Sequence, residues 1–503
     1  SLKRAFSGVT VHSLVQKAVG GKDGKDASCM DSVDLAQLLV KQDSTRSFGK
    51  HYTMVRQLGK GGFGTVFTAK SLLTHEVRAA KVVYKSQLKK QLDALAMELE
   101  ALVRLRHPNI VSFYEFFEEP RVVCIITEYC DSGDFSKLGR GHSKEEVRAL
   151  YRDVFSGIAY IHACDVVHRD MKFENCLICE GPHRRLAKII DFGLAAIRRE
   201  TDGEKWLHES LGTKFFVAPE VIDRTQLYGA KCDIWSLGVM VYITLSGDHP
   251  FAEKAYKLST ATLFQKVLKS PMRQEPLDKR GVGADARALL EAVLRRSYDE
   301  RADAQAALTF EWLKPPALAE ELSVSRAVKP ALQRVVTQHL GSLGAITRFQ
   351  RVLLMLSAHH AKSAEIESMR IAFTAQDKNG DGMLTLEEMR ASLVECGVEP
   401  NDEELQHRFE LLDMNHNDSI NFAEWLGATL EESLLVSEGN IRELFEYFDR
   451  DGSGKISRNE LAEIVSLEEA KRVMAVSDLS RDGELDFVEF KAMMHALARE
   501  RRG

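Results

Sequence analysis

Apolar positions repeat in two registers along this chain, and the register changes partway. In the N-terminal half, short apolar runs such as "RAAKVV" (78–83) and "VVCIIT" (122–127) have the length of buried strands, and "VMVYITL" (239–245) that of a buried strand or helix. From residue 366 the spacing turns helical: "IESMRIAFTAQ" (366–376) and "IRELFEYF" (441–448) return apolar side chains every three or four residues. Such segments flank four polar stretches, "DKNGDGMLTLEE" from 377, "DMNHNDSINFAE" from 413, "DRDGSGKISRNE" from 449 and "DLSRDGELDFVE" from 478, whose starts are 36, 36 and 29 residues apart. The pattern predicts four tandem helix-loop-helix units paired into two lobes. No apolar run approaches the roughly 18 residues that span a bilayer, so no transmembrane segment is expected.

Each polar stretch places oxygen donors at alternate positions and a glutamate at the twelfth, a spacing that suits a hard cation, calcium above all. In loop one the donors are Asp377, Asn379, Asp381 and Glu388, with Met383 offering its backbone carbonyl; loop three has Asp449, Asp451, Ser453, Glu460 and the Lys455 carbonyl. Loop four has Asp478, Ser480, Asp482, Glu489 and the Glu484 carbonyl. These three carry glycine at position six (Gly382, Gly454, Gly483), where the backbone must turn with positive φ. Loop two has Asp413, Asn415, Asn417, the Ser419 carbonyl and Glu424, but Asp418 at position six. Aspartate tolerates the left-handed region well enough for closure, while the lower ligand charge predicts weaker calcium binding or none.

Composition sharpens the division. The chain has 503 residues, enough for about three domains at about 150 each, and is 44% hydrophobic and 28% charged, as soluble globular proteins are. Residues 365–495 hold 31 acidic against 12 basic side chains, whereas the whole chain is only −6, so an acidic C-terminal third is tethered to a basic remainder that can attract it. Eight cysteines scattered from Cys29 to Cys396 form no disulfide framework and predict a reducing, cytoplasmic compartment; the Cys176 and Cys179 pair reads as ordinary buried thiols on a strand. The chain begins at Ser1, so a peripheral membrane anchor is expected only if an acylated segment precedes it.

A second chemistry fills residues 52–313. "LGKGGFGTV" (58–66) sets Gly59, Gly61 and Gly64 in a loop suited to cover nucleotide phosphates. "RAAKVV" puts Lys81 on an apolar strand, where a buried ammonium needs an anion, and the helical stretch "AMELEAL" offers Glu98. "HRDMKFEN" (168–175), "DFG" (191–193) and "APE" (218–220) follow in that order. A lone glycine triplet is weak evidence; the ordered series is specific.

On these motifs residues 52–313 resemble a eukaryotic protein kinase catalytic domain. The resemblance implies ATP and magnesium as cofactors: Gly59, Gly61 and Gly64 cover the phosphates, Lys81 holds them with Glu98 as its partner, and Leu58, Val66, Ala79, Glu128 and Cys130 complete the nucleotide pocket. It further implies that Asn175 and Asp191 hold magnesium, that Asp170 accepts the substrate hydroxyl proton and that Lys172, in the serine/threonine form of the motif, neutralises the transferred phosphoryl. The same resemblance implies that Thr127 takes the gatekeeper position and that Arg301 pairs with Glu220 in support of the activation segment. With four calcium loops behind it, nearly all of 52–495 resembles the calcium-dependent protein kinases of plants and apicomplexan parasites.

The expected architecture is therefore α+β: an N-terminal extension (1–51), a two-lobed kinase fold (52–313), a junction (314–364) and an all-α calmodulin-like EF-hand domain (365–503). The junction stripe of Leu332, Val335, Val336, Leu340, Leu343, Ile346, Phe349, Val352, Leu353 and Leu356 is what a calmodulin-like lobe grips, calcium filling the loops. Family resemblance implies that without calcium the junction blocks the substrate site through one of Lys329, Arg334, Arg348 and Arg351. Protein substrates with arginine upstream of Ser or Thr are expected from Glu174 and Asp134, and Glu209, four before Thr213, stands where related kinases carry an activating phosphate, facing Arg169. No nucleic-acid partner is expected, and the chain reads as a monomer.

Overall fold

A computed structural model describes residues 11–20, 39, 47–60, 64–86, 92–138, 142–181, 184–198, 203, 206–209, 211–223, 227–314, 347–361, 366–395, 399, 401–413, 416–430 and 432–500. Gly61, Asn415, Lys329, Arg334 and the stripe from Leu332 to Ile346 lie outside them, as does the side chain of Arg348.

Strands β1 (Tyr52–Lys60), β2 (Thr65–Ser71), β3 (Val77–Tyr84), β4 (Phe113–Glu118) and β5 (Val122–Thr127) form one antiparallel sheet in the order β1-β2-β3-β5-β4. The period-two alternation of β3 explains "RAAKVV": Ala80 and Val82 join one apolar cluster with Phe117 and Ile126, while Val83 turns to the main core. Lys81 shares the Val83 face and so points toward the helix Leu92–Arg104, whose Leu95 and Leu99 belong to that core. The helix Val11–Gly20 packs on the same helix through buried Val11 and Val15, and the Val11 N–H donates to Glu118 Oε1 at 3.1 Å.

Below the sheet lies a mainly helical lobe. Helix Lys144–Ala163 starts at Ser143, whose hydroxyl accepts the Glu146 N–H, and buries Leu150, Tyr151, Val154, Phe155 and Ile158. The "VMVYITL" run resolves as the end of helix Lys231–Ser246, apolar on nearly every side because Cys232 to Tyr242 are all buried, and Gly247 stops it at φ 78°. The strand Cys176–Cys179 pairs antiparallel with Leu186–Ile189.

The C-terminal third forms two lobes. Met383–Leu384 pairs with Ile420–Asn421, and Lys455–Ser457 with Glu484–Asp486, which joins loop one to loop two and loop three to loop four. Between the lobes runs the junction helix Arg348–His360, started by a capping box of Thr347 and Gln350. Its Leu354 and Ala358 enter the core of Phe373, Phe422 and Trp425, whereas Phe349, Val352, Leu353 and Leu356 belong to the core that includes Ile441, Leu444, Phe448 and Phe490, with Phe349 edge-on to Phe448 at 5.5 Å. No helix among the described residues is long and apolar enough to cross a membrane.

Candidate active site and calcium loops

The glycine loop joins β1 to β2, with Gly59 opposite Val66 and a register shift at Leu58. Gly64 sits so close to β3 that a Cβ would come 2.4 Å from the Val82 carbonyl oxygen, which reserves the position for glycine. Across the sheet Lys81 lies opposite Val66 and Ile125, and Ala79 opposite Thr127, so the residues assigned to the nucleotide pocket share one patch of strands. Glu128 follows directly; its carboxylate is drawn back by Lys188 Nζ at 2.8 Å and its N–H donates to the Ser112 carbonyl at 2.8 Å. Among the described residues the Cys130 N–H has no protein acceptor.

Lys81 Nζ meets Glu98 at 2.5 Å and Asp191 Oδ1 at 3.0 Å. Burial disfavours the ammonium, but the two carboxylates win and hold its pKa above the usual lysine value. Burial likewise opposes the Asp191 charge; Lys81 outweighs it and keeps that carboxyl below the ordinary range. Glu98, 4% exposed, is held above its ordinary value by burial. The pair fixes helix Leu92–Arg104 against the sheet.

The loop 168–175 is clasped from beneath by buried Asp233, which accepts the N–H of His168 at 2.9 Å and of Arg169 at 2.8 Å. Burial works against the Asp233 charge, and its contact with His162 Nε2 at 2.9 Å holds its pKa down. The clasp supports Arg169 at φ 65°, and Asp191 adopts φ 65° as well, conformations that cost an L-residue on the order of 1 kcal/mol and cluster at functional sites. Asp170 accepts from Thr213 Oγ1 at 2.8 Å through Oδ1 and from Lys172 through Oδ2. Asn175 Nδ2 donates to the Asp170 carbonyl at 2.8 Å, which leaves Asn175 Oδ1 as its donor atom for a cation. Phe192 packs on the His168 ring with centroids 5.1 Å apart. Asp170, Lys172 and Asn175 thus form one contact group and Lys81 and Asp191 another, with the Lys172 charge helping to lower the Asp191 pKa.

The activation segment is pinned by charge. Arg169 Nη1 meets Glu209 Oε2 at 2.9 Å, and buried Arg301 makes a two-pronged pair with Glu220 at 2.7 and 2.8 Å. Asp134 Oδ1 caps the turn Phe135–Lys137, accepting the Ser136 N–H at 2.8 Å, and Glu174 is exposed.

The calcium loops gather like charges instead. Asp377 accepts the N–H groups of Gly380 and Asp381 on Oδ1 and that of Gly382 on Oδ2, and Glu388 reaches back to the N–H groups of Lys378, Asn379 and Thr385. Burial, with Asp381 and Glu388 adding to it, pushes Asp377 up to about 7. In loop three the carboxylate oxygens of Asp449, Asp451 and Glu460 all lie within 4.8 Å of one another. Hard oxygen donors crowded this way fit a divalent cation, with Glu388, Glu460 and Glu489 in equivalent places. Loop two closes as expected, with Asp418 at φ 61° and its N–H on Asp413 Oδ2 at 2.8 Å; Asn417 Oδ1 takes the Ser419 N–H, and Glu424 is buried. In loop four Asp478 accepts the Gly483 N–H, Ser480 donates its hydroxyl to Asp478, and Glu489 takes the Ser480 N–H. Lys455 brings an ammonium to this pair of loops, meeting Asp482 at 2.6 Å and Glu484 at 3.7 Å.

The two regions touch. Arg78 on β3 reaches Glu443 at 2.8 Å beneath the Tyr114 ring, and His359 of the junction helix contacts the Tyr114 carbonyl at 3.2 Å. Loop one itself abuts the kinase lobe: at Gly382, φ 74°, a Cβ would come 2.7 Å from His107 and 2.8 Å from Tyr160. Burial, reinforced by Glu76 and Glu115, outweighs Arg78 and pushes Glu443 up to about 7.

Motif reading missed Lys188, Asp233, Arg78 and Glu443. It also missed that Cys179 lies against Cys130, 49 residues earlier; Cys176 is the free, buried thiol expected. No spacing rule links residues that meet only after the lobe folds.

Residues 52–313 match the protein kinase domain family, and 366–430 and 402–466 match the EF-hand domain pair family, which defines an enzyme of the protein kinase class fused to EF-hand modules. The chain is 30% identical to calcium-dependent protein kinase 4 of Plasmodium falciparum, covering 96% of this chain and 93% of the relative, and 28% identical to calcium-dependent protein kinase 22 of Arabidopsis thaliana, covering 88% and 90%. Calcium-dependent protein kinase 3 of Oryza sativa is 30% identical over 88% of this chain and 80% of its own length. The chain belongs to the calcium-dependent protein kinase family.

Proposed function

We propose that this protein kinase transfers the γ-phosphoryl group of ATP to Ser or Thr of basic protein substrates, is held off by its own junction and is switched on by calcium. The observation that carries the reading is the coincidence of two states: the Lys81–Glu98 pair is closed while both EF-hand lobes enclose the junction helix and lean on the kinase lobe through Arg78 and Glu443.

In this reading Lys81, oriented by Glu98, holds the non-transferred phosphates, and Asn175 and Asp191 hold magnesium, which supplies positive charge against the phosphate oxygens. Asp170, fixed by Asn175, Lys172 and Thr213, aligns the substrate hydroxyl and takes its proton as the oxygen attacks. Lys172 adds charge beside the same carboxylate, so the chain supplies position and electrostatics rather than a covalent intermediate. Glu209 stands in for a phosphate on Arg169, and Glu174 and Asp134 receive substrate arginine.

Without calcium, the crowded carboxylates of the loops leave the lobes unable to enclose residues 347–361, and a basic residue of 314–364 occupies the substrate site. With a cation held by Glu388, Glu460 and Glu489, its charge would offset the crowded carboxylates, and the loop helices would take the junction helix between them and free the cleft. A swing from 1:99 to 99:1 needs about 5.5 kcal/mol of differential binding, within reach of several sites acting together. The reading places the chain in the cytoplasm as a monomer. Removing 317–503 should leave a kinase indifferent to calcium; a truncated protein still requiring calcium would refute the internal switch.

A further inference from the structure

The sulfurs of Cys130 and Cys179 lie against each other, with Cα atoms 4.8 Å apart, inside the range that bridged cysteines occupy. Cys130 lies two residues past Glu128 on the segment joining the lobes, and Cys179 ends the strand Cys176–Cys179 of the lower lobe. The chain around them is already strapped: the Ser132 N–H donates to the Ile178 carbonyl at 3.1 Å, the Ile178 N–H to the Gly133 carbonyl at 2.8 Å, and the Glu180 N–H to Asp131 Oδ1 at 3.4 Å. These bonds tie residues 131–134 to the lower lobe and hold the two sulfurs together, whereas β5 belongs to the upper lobe. A bond between Cys130 and Cys179 would carry the strap one residue further back, toward the point where the lobes swing.

We propose that Cys130 and Cys179 are a reversible redox lock on the nucleotide cleft, a modification site closed by a hydroperoxide and opened by a dithiol. The lock rests on reading 128–130 as the hinge of that cleft. Nucleotide enters and leaves as the lobes part, and a parting of this kind is absorbed by a few residues at the hinge. With Cys130 bonded to the lower lobe, fewer residues remain to absorb it, so product release slows.

The chemistry balances. The Cys130 thiolate attacks a peroxide oxygen, the O–O bond breaks and leaves as alcohol or water, and Cys130 becomes a sulfenic acid. The Cys179 sulfur then displaces water from that sulfur and forms the S–S bond; two thiols lose two electrons and one peroxide gains them. A dithiol reverses the bond by exchange. Cys130 is the half-buried partner and so the point of attack. The other described thiols compete poorly: burial pushes Cys124 and Cys164 up to about 12 and raises Cys176 and Cys232 further, which suppresses the reactive thiolate.

The test uses the full chain with calcium, reduced or treated with hydrogen peroxide. It reads the 130–179 link by mass spectrometry of non-reduced digests and nucleotide release with a fluorescent ADP analogue. The expected result is a cross-linked peptide and release slowed about fivefold or more, restored by dithiothreitol. Cys179→Ser, with Cys179→Ala as a second variant should the first fold poorly, should keep its basal phosphotransfer and lose the response to peroxide. A missing cross-link, release unchanged by the cross-link, or variants as peroxide-sensitive as the parent would overturn the lock. Phosphotransfer to a basic peptide, measured separately, tests the kinase reading, so the two failures are told apart.

Discussion

The catalytic cleft and the calcium loops both concentrate carboxylates, and they differ in where the opposing charge comes from. In the cleft each acid meets a cation of the chain: Glu98 and Asp191 meet Lys81, Asp170 meets Lys172, Glu209 meets Arg169 and Glu220 meets Arg301. In loop one Asp377, Asp381 and Glu388 each meet backbone N–H groups instead of a cation, and burial, with repulsion from Asp381 and Glu388 added, pushes Asp377 up to about 7. The cleft is assembled by folding alone, whereas a calcium loop is finished only when a divalent cation supplies the missing charge. The proposed switch sets one kind of site behind the other.

The largest effects should come from removing one charge of a cleft ion pair. Lys81→Met or Asp170→Asn should cut phosphotransfer by about 10³-fold or more while calcium binding, followed by calorimetry, stays unchanged. Loss of calcium binding in either variant would show the two regions are not separate in the way described. Next comes acid. Burial holds His107 down to about 3 and His249 to about 4, so the folded chain keeps them neutral while the unfolded chain protonates them below about 6.5. Stability present above pH 6.5 should therefore be lost as pH falls, by about 2 kcal/mol per histidine at pH 5, seen as a falling thermal midpoint. A flat midpoint between pH 7 and 5 would contradict it.

Glu388→Gln and Glu460→Gln should each raise the calcium needed for half activation by about tenfold, through loss of ligand charge. Glu443→Gln, which takes the charge from the partner of buried Arg78, should lower calcium-stimulated activity several-fold, on the order of 1 kcal/mol or more, without altering calcium affinity of the isolated lobes. Glu209→Ala should cost a few-fold in turnover, on the scale of one exposed charge contact, and phosphatase treatment of the parent should cost nothing. Glu424→Gln, in the loop with the lowest ligand charge, should matter least; a shift as large as that of Glu388→Gln would put loop two on a par with loop one.

What the sequence disclosed was whatever chemistry demands at fixed spacing. Lys81, Asp170, Asn175 and Asp191 sit in motifs because phosphoryl transfer needs those atoms close together, and the loop acids recur because the cation dictates their order. Four helix-loop-helix units and the strand character of "RAAKVV" followed from periodicity, and Asp418 closed loop two as its short side chain allows. "VMVYITL" stayed ambiguous because a fully buried helix loses its polar face. Contacts that exist only in three dimensions were invisible: Arg78 and Glu443 are 365 residues apart, Glu128 and Lys188 belong to no shared motif, and Val11 and Val15 pack on Leu92–Arg104 from an unassigned extension.

The account stands most directly on the phosphotransfer activity of the full-length chain, measured at saturating ATP and magnesium with an arginine-containing Ser peptide across a calcium titration. It predicts activity near zero in chelator and a steep, cooperative rise to a plateau as the loops fill. Equal activity in chelator and in saturating calcium would contradict it.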